Sequence, residues 1–269
     1  MPVTPPSASI ELHGQVAIVT GGTRGLGRAI AGALAAAGCT VTVCGRSAPD
    51  ELPPGVAFAV ADVRDAEQAR TLVDRVAELH GRLDILVNNA GGSPESEAAS
   101  ASPRFAEAIL KLNLLAPLFM AQAAHRHMAA AGCGSIVNIA SVSGARPSPG
   151  TAVYGAAKAG LLSLTQSLAQ EWGGDGVRVN AVIAGLMQTE TAEATYGSTE
   201  AQAAIARSLP LGRMGLGKDL ADAVLYLCSP LAAYVSGARL QVDGGGERPL
   251  FLELVKRDSE NLGSNQDGR

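Results

Sequence analysis

The feature that most constrains how this chain folds is a glycine-rich turn at residues 20–27, which read Thr-Gly-Gly-Thr-Arg-Gly-Leu-Gly. The β-branched run Val16–Thr20 precedes the turn, and apolar residues at four-residue spacing follow at Leu26, Ile30 and Leu34. Glycine lets a backbone adopt positive φ and approach a ligand closely, while the N-terminus of a helix offers unpaired N–H groups to a phosphate. Strand, glycine turn and helix in this order predict a dinucleotide-binding β-α-β unit.

The alternation of short β-branched runs with helical patterns continues along most of the chain, which predicts a parallel sheet covered by helices on both faces. Seven strands are predicted, at Val16–Thr20, Thr40–Cys44, Ala57–Ala61, Ile85–Asn88, Ser135–Ala140, Val177–Ile183 and Arg239–Val242. Two longer Ala-rich helices are predicted around Phe105–Ala130 and at Ala152–Trp172. We therefore expect a single α/β domain of Rossmann type, with a doubly wound seven-stranded sheet, at residues 14–246.

Three segments fall outside this alternation. Residues 1–13 are proline-rich and are expected to be flexible, and residues 189–210 interrupt the pattern inside the domain. Residues 247–269 form a C-terminal extension whose polar end is expected to be disordered.

Composition limits the partners of the protein. The net charge of −4 argues against a broad basic surface, and therefore against binding of nucleic acid or anionic lipid. The start of the chain has no Lys or Arg before residue 24 and no long apolar run, and no segment approaches 18 uninterrupted apolar residues. We expect a cytoplasmic protein. The four cysteines are widely spaced, and His125 and His127 point in different directions on a helix, so no metal site is predicted.

Four polar residues suggest a catalytic group. Tyr154 and Lys158 are four residues apart, so a helix places them on one face, where an ammonium favours the phenolate and makes Tyr154 a usable acid and base. Ser141 ends a predicted strand thirteen residues earlier, and Asn113 lies another twenty-eight residues earlier. Each of the four also has an ordinary structural interpretation. Ser141 could form a strand-end turn, Asn113 could be a polar group within a helix, Tyr154 a half-buried aromatic ring and Lys158 a surface charge.

The T-G-x-x-x-G-x-G turn together with the spacing of these four residues resembles the short-chain dehydrogenase/reductase family, in particular its 3-oxoacyl-(acyl-carrier-protein) reductase-like branch. The resemblance extends over roughly residues 14–245. It implies that Tyr154 is the acid and base, that Ser141 hydrogen-bonds the substrate oxygen, and that Asn113 holds a water that relays protons to Lys158. Ser143 is the rival to Ser141, although it lies two residues too close to Tyr154.

The residues at the end of the second predicted strand indicate whether the protein prefers NAD or NADP. Gly45 stands where an NAD site commonly has an acid, and Arg46 can donate two parallel hydrogen bonds to a 2′-phosphate. Arg24 adds a second positive charge inside the glycine turn. In the family that this chain resembles, a basic residue at either position accompanies NADP, so NADP(H) is expected over NAD. The alternative is that Arg46 is a solvated loop residue and Arg24 an uncompensated charge at a helix N-terminus.

The resemblance implies that the other cofactor contacts come from Gly21, Thr23, Gly25, Leu26, Gly27, Asp62, Val63, Asn89, Ala90, Gly91, Gly185, Met187 and Thr189, together with Tyr154 and Lys158. Asp62 has an alternative role as a helix cap. Ala184 replaces the family's proline, which frees φ and restores an N–H, so the loop that carries Met187 and Thr189 is less constrained.

The expected function is a hydride transfer between a nicotinamide and a carbonyl or secondary alcohol of a small, largely apolar substrate, such as a ketone, a 3-oxoacyl thioester or a cyclic alcohol. By resemblance, residues 189–210 form a substrate lid around Tyr196, and the protein is a homotetramer or homodimer. The apolar segment Pro249–Val255 packs either across a subunit interface or on its own subunit. The alternatives are a non-catalytic dinucleotide sensor, an NAD-linked alcohol dehydrogenase, and a dehydratase or epimerase, although relatives of the last kind are usually longer.

Overall fold

The central element of the computed structural model is one seven-stranded sheet. Its strands are β1 (Val16–Thr20), β2 (Thr40–Gly45), β3 (Val56–Val60), β4 (Ile85–Asn88), β5 (Gly134–Ser141), β6 (Val177–Ala184) and β7 (Arg239–Val242). All neighbouring strands are parallel, in the order β3-β2-β1-β4-β5-β6-β7. The structure describes residues 10–249 together with 251 and 255. The predicted fold class is confirmed, and each predicted strand end lies within one residue of the observed one.

Eight helices cover the described part of the sheet and its loops. They are α1 (Gly25–Ala36), α2 (Ala66–His80), α3 (Pro103–Leu110), α4 (Ala116–Ala131), α5 (Ala152–Trp172), α6 (Ala192–Tyr196), α7 (Thr199–Ser208) and α8 (Gly217–Cys228). A π-helical turn, Lys111–Leu115, joins α3 to α4, so the helix predicted around Phe105–Ala130 runs from residue 103 to 131 with a wider turn inside it. The helix predicted at Ala152–Trp172 has those bounds. The two short helices α6 and α7 were not predicted from the sequence.

Two apolar cores lie on opposite faces of the sheet. In β1, Val16 and Ile18 belong to the core that includes side chains of α2, α4 and α5. Ala17 and Val19 belong to the other core, which α1 and α8 complete. Successive side chains of a strand point to opposite faces, so a strand covered on both sides must be apolar throughout. This explains why every residue of β1 is buried.

The strand order reverses direction at β1, which pairs with β2 on one side and with β4 on the other. The connections from these strands consequently leave the sheet on opposite faces and open a crevice at the carboxyl ends of β1 and β4. In open α/β sheets this is where ligands bind. The glycine turn begins at this crevice, immediately after Thr20.

One helix of the described chain, Pro103–Ala131, is long and apolar enough to cross a membrane by length and composition alone, with a mean hydropathy of 1.2. Within the protein this helix contacts β4, β5, α2 and α5. Met120 and Met128 are fully buried on its sheet-facing side. These are the contacts of a helix that packs on a sheet in a domain core.

The ends of the chain are described only in part. Residues 1–9 of the segment predicted to be flexible lie outside the described residues, whereas Leu12 is buried and its N–H donates to the Ala37 carbonyl. Of the apolar segment 249–255, Leu250 and residues 252–254 lie outside the described residues, as does the predicted disordered end. Phe251 and Val255 are both about two-thirds exposed, at 63% and 61%.

Candidate functional site

A cavity of about 1070 Å³ lies at the crevice formed by the carboxyl ends of the strands. All the residues that the sequence predicts as cofactor contacts line its wall. Ser141, Tyr154 and Lys158 of the predicted catalytic group line it as well, whereas Asn113 does not. The tertiary structure thus brings together residues from the ends of six strands, separated by up to 168 positions from Gly21 to Thr189, around one cavity.

The glycine turn has the backbone that its sequence predicts. Gly21 and Gly25 have positive φ of 62° and 54°, a region that residues with a Cβ rarely adopt. A Cβ on Gly27 would lie 2.4 Å from Nδ2 of Asn89 and 2.4 Å from the Gly21 carbonyl, so only glycine fits there. Helix α1 begins at Gly25 with no acidic residue in its first turn, and its N-cap Arg24 makes no capping hydrogen bond through its side chain. This helix N-terminus retains donors for an anion.

Thr20, the last residue of β1, is a supporting residue that the sequence reasoning missed. Its Oγ1 accepts hydrogen bonds from the N–H groups of Asn89 and Ala90, both at 3.0 Å. In return, Nδ2 of Asn89 donates to the carbonyls of Thr20 and Gly21 at 3.0 and 3.1 Å. The end of β4 and the glycine turn are therefore bonded to each other, and Asn89 lines the cavity while it holds the turn. A threonine that ends a strand beside a glycine turn is the only sequence signal of this role.

The end of β2 lies beside the glycine turn. A Cβ on Gly45 would lie 3.6 Å from the Thr23 side chain, so the strand end that carries Arg46 adjoins the turn that carries Arg24. Opposite them, Asp62 accepts hydrogen bonds from Arg64 at 2.5 to 3.1 Å. That bonding lowers the pKa of Asp62, and the charge of Arg46 acts in the same direction.

Asp65, rather than Asp62, caps α2, because its carboxylate accepts hydrogen bonds from two backbone N–H groups of the first turn. The alternative role of Asp62 as a helix cap is therefore wrong. Its carboxylate instead forms a bidentate pair with Arg64 at the cavity wall.

Tyr154 and Lys158 project from α5 into the cavity. Nζ of Lys158 donates to the Ile139 carbonyl at 2.8 Å and lies 5.7 Å from the centre of the Tyr154 ring. Lys158 is 3% exposed, and burial lowers its pKa to about 8. An ammonium is costly to bury, so the fold holds this lysine at a pKa where it releases its proton more readily than a surface lysine does.

The pKa of Tyr154 is raised, mainly by burial. The Ser141 side chain acts in the opposite direction through a hydrogen bond, and the charge of Tyr196 raises the pKa further. The sequence predicted that Lys158 favours the phenolate. In this structure burial sets the direction of the shift in the pKa of Tyr154, and the Lys158 ammonium donates its hydrogen bond to the Ile139 carbonyl. At neutral pH the phenol is therefore protonated, which is the form that donates a proton.

Ser141 lies at the cavity wall and Ser143 does not. Ser141 is the last residue of β5, lines the cavity, and accepts a hydrogen bond from the Ser143 N–H at 3.2 Å. The Ser143 hydroxyl accepts from the Ser148 hydroxyl at 3.0 Å, and Ser143 is not part of the cavity wall. The geometry favours Ser141, in agreement with the spacing argument.

Asn113 lies behind the cavity wall, in the π-helical turn. It is fully buried, and its side chain binds both backbone groups of Gly92, with the N–H at 2.9 Å from Oδ1 and the carbonyl at 3.0 Å from Nδ2. Nδ2 also donates to the Ile109 carbonyl at 3.0 Å. A Cβ on Gly91 would lie 2.7 Å from Oδ1 of Asn113 and 3.2 Å from Nζ of Lys158. Asn113 therefore clamps the backbone that separates it from Lys158.

Two of the lid side chains hydrogen-bond to backbone groups of the site, and five lid residues line the cavity: Thr189, Glu190, Thr191, Thr195 and Tyr196. Tyr196, at the end of α6, accepts a hydrogen bond from the Met187 N–H at 3.3 Å. Glu190 accepts one from the Gly25 N–H at 3.2 Å. Both residues line the cavity. The sequence drew attention to Tyr196 as the centre of the lid, but nothing in it pointed to Glu190.

The two histidines considered as metal ligands are bonded to acidic residues. Nε2 of His127 lies 2.7 Å from Asp74, and Nε2 of His125 lies 2.9 Å from Asp175. His125 also stacks on Trp172 with ring centres 4.3 Å apart. The His125 side chain is 22% exposed and the His127 side chain is 30% exposed, so both are partly buried.

Known proteins resemble this chain in sequence and in fold. A family model described as enoyl-(acyl carrier protein) reductase matches residues 21–247. A 3-oxoacyl-(acyl-carrier-protein) reductase of Aquifex aeolicus is 37% identical over 248 residues, which cover 88% of this chain and 98% of that protein. A short-chain type dehydrogenase/reductase from Mycobacterium ulcerans is 30% identical with a TM-score of 0.83, over 89% of this chain and 94% of that one. A gluconate 5-dehydrogenase from Burkholderia cenocepacia, solved with NADP and tartrate, is 31% identical with a TM-score of 0.82, over 88% and 96%.

Proposed function

Because the chain belongs to the short-chain dehydrogenase/reductase family, whose members are NAD(P)-dependent oxidoreductases, we propose that it is an NADP-preferring enzyme that acts on a carbonyl or secondary alcohol. The observation that carries the proposal is the meeting of the glycine turn, Arg46 and the Ser141–Tyr154–Lys158 group at one cavity. A non-catalytic sensor would need the glycine turn and Arg46 to bind the dinucleotide, but it would not need the Ser141–Tyr154–Lys158 group.

The residues at the turn fit a dinucleotide. The positive φ of Gly21 and Gly25 and the close approach at Gly27 bring the backbone of the turn and the N-terminus of α1 to the cavity wall, where we place the pyrophosphate. When bound, the cofactor supplies or accepts the hydride at its nicotinamide ring. We assign the adenine end to Asp62 and Val63, which line the far part of the same cavity wall.

The nicotinamide end is assigned to residues near the carboxyl ends of β4 and β6. These are Asn89, Ala90, Gly91, Gly185, Met187 and Thr189, with Tyr154 and Lys158 beside them. A Cβ on Gly185 would lie 2.5 Å from the Asp243 backbone, so glycine is required where the β6 loop passes the end of β7.

The preference for NADP rests on charge at the end of β2. Gly45 leaves no acid to repel a 2′-phosphate. The strand end that carries Arg46 adjoins the turn that carries Arg24, and both arginines line the cavity there. The pairing of Asp62 with Arg64 also neutralises the nearest carboxylate. The NADP complex of the Burkholderia relative is consistent with this preference.

The chain's own residues divide the proton transfer among them. Protonated Tyr154 donates its proton to the substrate oxygen in the reductive direction, and Ser141 hydrogen-bonds the same oxygen as negative charge develops on it. Lys158, with its lowered pKa, stands beside the phenol to stabilise the phenolate and to pass a proton on. Asn113 holds the Gly91–Gly92 backbone beside Lys158, and its Oδ1 has a second lone pair for the relay water that the family resemblance implies.

For the substrate we propose a chemical class, and for the oligomeric state two alternatives. The lid, residues 189–210, carries no cluster of basic side chains, which gives no support for a strongly anionic substrate. Met187 and Tyr196 offer apolar contact beside the polar lid residues Thr189, Glu190 and Thr191, and we propose a small apolar ketone, acyl thioester or cyclic alcohol as substrate. The acyl thioester is also the substrate class in the name of the Aquifex relative. We propose residues 14–246 as the catalytic domain of a cytoplasmic homotetramer or homodimer.

The decisive experiment follows oxidation of NADPH and of NADH in parallel across a panel of ketones, 3-oxoacyl thioesters and alcohols. Replacement of Tyr154 by Phe removes the donated proton, so kcat should fall by at least about 100-fold. Tyr234→Phe is the matched control, because Tyr234 is fully exposed and lies outside the cavity wall. Full activity in Tyr154→Phe would refute the mechanism, and dinucleotide binding without turnover on any substrate class would favour the sensor.

A further inference from the structure

Two side chains of the lid accept hydrogen bonds from backbone N–H groups in the parts of the site that we assign to the cofactor. Oε1 of Glu190 accepts from the N–H of Gly25, the first residue of α1, at 3.2 Å. The Tyr196 hydroxyl accepts from the N–H of Met187, beyond the end of β6, at 3.3 Å. Gly25 belongs to the part of the site assigned to the pyrophosphate, and Met187 to the part assigned to the nicotinamide.

The Glu190 contact has the chemistry of an anion at a helix N-terminus. No acidic residue lies in the first turn of α1, and the N-cap side chain makes no capping bond, so these N–H groups and the helix dipole attract a carboxylate from elsewhere. A Cβ on Gly25 would lie 3.6 Å from Oε2 of Glu190, so the carboxylate sits directly over this residue. A carboxylate in this position and a phosphate on the same N–H group exclude each other.

The Tyr196 contact is independent of the first and carries no charge. Tyr196 lines the cavity that Tyr154 also lines, so it reaches inward toward the reaction centre. Helix α6, which is only five residues long, connects the two contacts, because Glu190 lies two residues before it and Tyr196 is its last residue. The two contacts therefore belong to one short segment that can leave the cavity as a unit.

We propose that the lid docks on the site in the free enzyme, with Glu190 and Tyr196 bonded to the donors that the cofactor's phosphate and nicotinamide groups would otherwise take. This inference rests on the proposed function. It makes the lid part of the cofactor site rather than only a cover for the substrate. A docked lid reduces the fraction of protein that is competent to bind, so the apparent affinity for the cofactor is lower than the intrinsic affinity by that fraction.

The test measures the dissociation constant for NADPH by fluorescence titration, and hydrogen exchange of the Gly25 and Met187 amides without added nucleotide. Glu190→Ala should speed exchange at Gly25 and lower the dissociation constant about two- to fivefold, the effect of one charge at a helix end. Tyr196→Phe should speed exchange at Met187 and lower the dissociation constant about two- to tenfold, the effect of one hydrogen bond.

Glu193→Ala is the matched control. Glu193 is an exposed lid carboxylate three residues from Glu190, and it should leave exchange at Gly25 unchanged. Tyr196→Phe separates release of the lid from removal of a negative charge, because it changes no charge. A wild-type protein that binds NADPH, with no tightening in either Glu190→Ala or Tyr196→Phe, would overturn the lid inference alone. A wild-type protein that binds neither NADPH nor NADH would overturn the proposed function instead.

Discussion

Replacement of Asn113 by alanine tests the role that the structure assigns to this residue. The family resemblance presents Asn113 as the holder of a relay water, whereas its side chain makes three hydrogen bonds that clamp Gly92 to the Ile109 turn. Removal of the amide breaks all three, two to the exposed Gly92 and one to the Ile109 carbonyl inside the buried turn. Both stability and catalysis should therefore suffer.

The magnitude follows from the bonds lost. At about 1 kcal/mol of net stability for each hydrogen bond, the free energy of unfolding should fall by about 3 kcal/mol. For a chain of this size that corresponds to a decrease in Tm of about 6–12 °C. The clamped backbone adjoins Gly91, whose Cβ position is 3.2 Å from Nζ of Lys158, so its displacement should also lower kcat by at least about 10-fold.

Asn180→Ala is the matched control. Asn180 is as fully buried as Asn113, and its amide also clamps a loop, through the Val235 carbonyl and the Ala238 N–H, but it is not part of the cavity wall. It should lose about 2 kcal/mol of stability with kcat unchanged.

Urea unfolding gives the stability of each variant, and NADPH oxidation at saturating substrate gives its kcat. A large loss of kcat in Asn113→Ala with a loss of stability below about 1 kcal/mol would refute the clamp and leave the water as the sole role. An equal loss of kcat in Asn180→Ala would show that any destabilisation of the sheet impairs catalysis, and would refute the assignment of a local effect.

Three further predictions concern the cofactor and the core. Arg46→Ser should raise the KM for NADPH about 10- to 100-fold and leave that for NADH nearly unchanged, and an equal effect on both would contradict the 2′-phosphate role. Gly27→Ala should cost about 1–3 kcal/mol of stability and abolish tight NADPH binding, because its Cβ has no room, whereas Gly173→Ala, which has open space, should be neutral in both thermal unfolding and titration. Lys158 has a pKa of about 8 in the fold and 10.5 as its ordinary value, so the unfolded chain binds more protons above pH 8 and this group alone should add about 1 kcal/mol of stability from pH 8 to 9. The three buried cysteines, whose pKa values are raised from 9.0 to about 12, remove about as much over the same interval, so the contribution of Lys158 should appear as the difference in this pH dependence between the wild-type protein and Lys158→Met.

Local chemistry explains what the sequence predicted well. The five inner strands are short apolar runs buried on both faces, whereas the edge strands β3 and β7 are partly exposed, and the β-branched composition of all seven identifies them to within one residue. The glycine turn is equally legible, because positive φ at Gly21 and Gly25 and contact at Gly27 each demand a residue without a side chain. Tyr154 and Lys158 were recognisable because four-residue spacing on a helix fixes their common direction.

Other features depend on which distant segments meet, and the tertiary structure alone decides them. Glu190 reaches Gly25 across 165 positions of the chain, and no local pattern marks either residue for the other. The support that Thr20 gives to Asn89 arises from the pairing of β1 with β4. The raised pKa of Tyr154 follows from burial, which is a property of everything packed around it rather than of its neighbours in sequence.

Residue types and their spacing determined that this chain has a strand, a glycine turn and a helix suited to a phosphate, and a tyrosine and a lysine on one helix face. These are consequences of backbone geometry over a few residues. The fold alone decided that Asn113 would clamp Gly92 and that the lid would rest on the glycine turn. Hydrogen bonding and desolvation act through space, so their outcome is set only when the sheet brings its strand ends together.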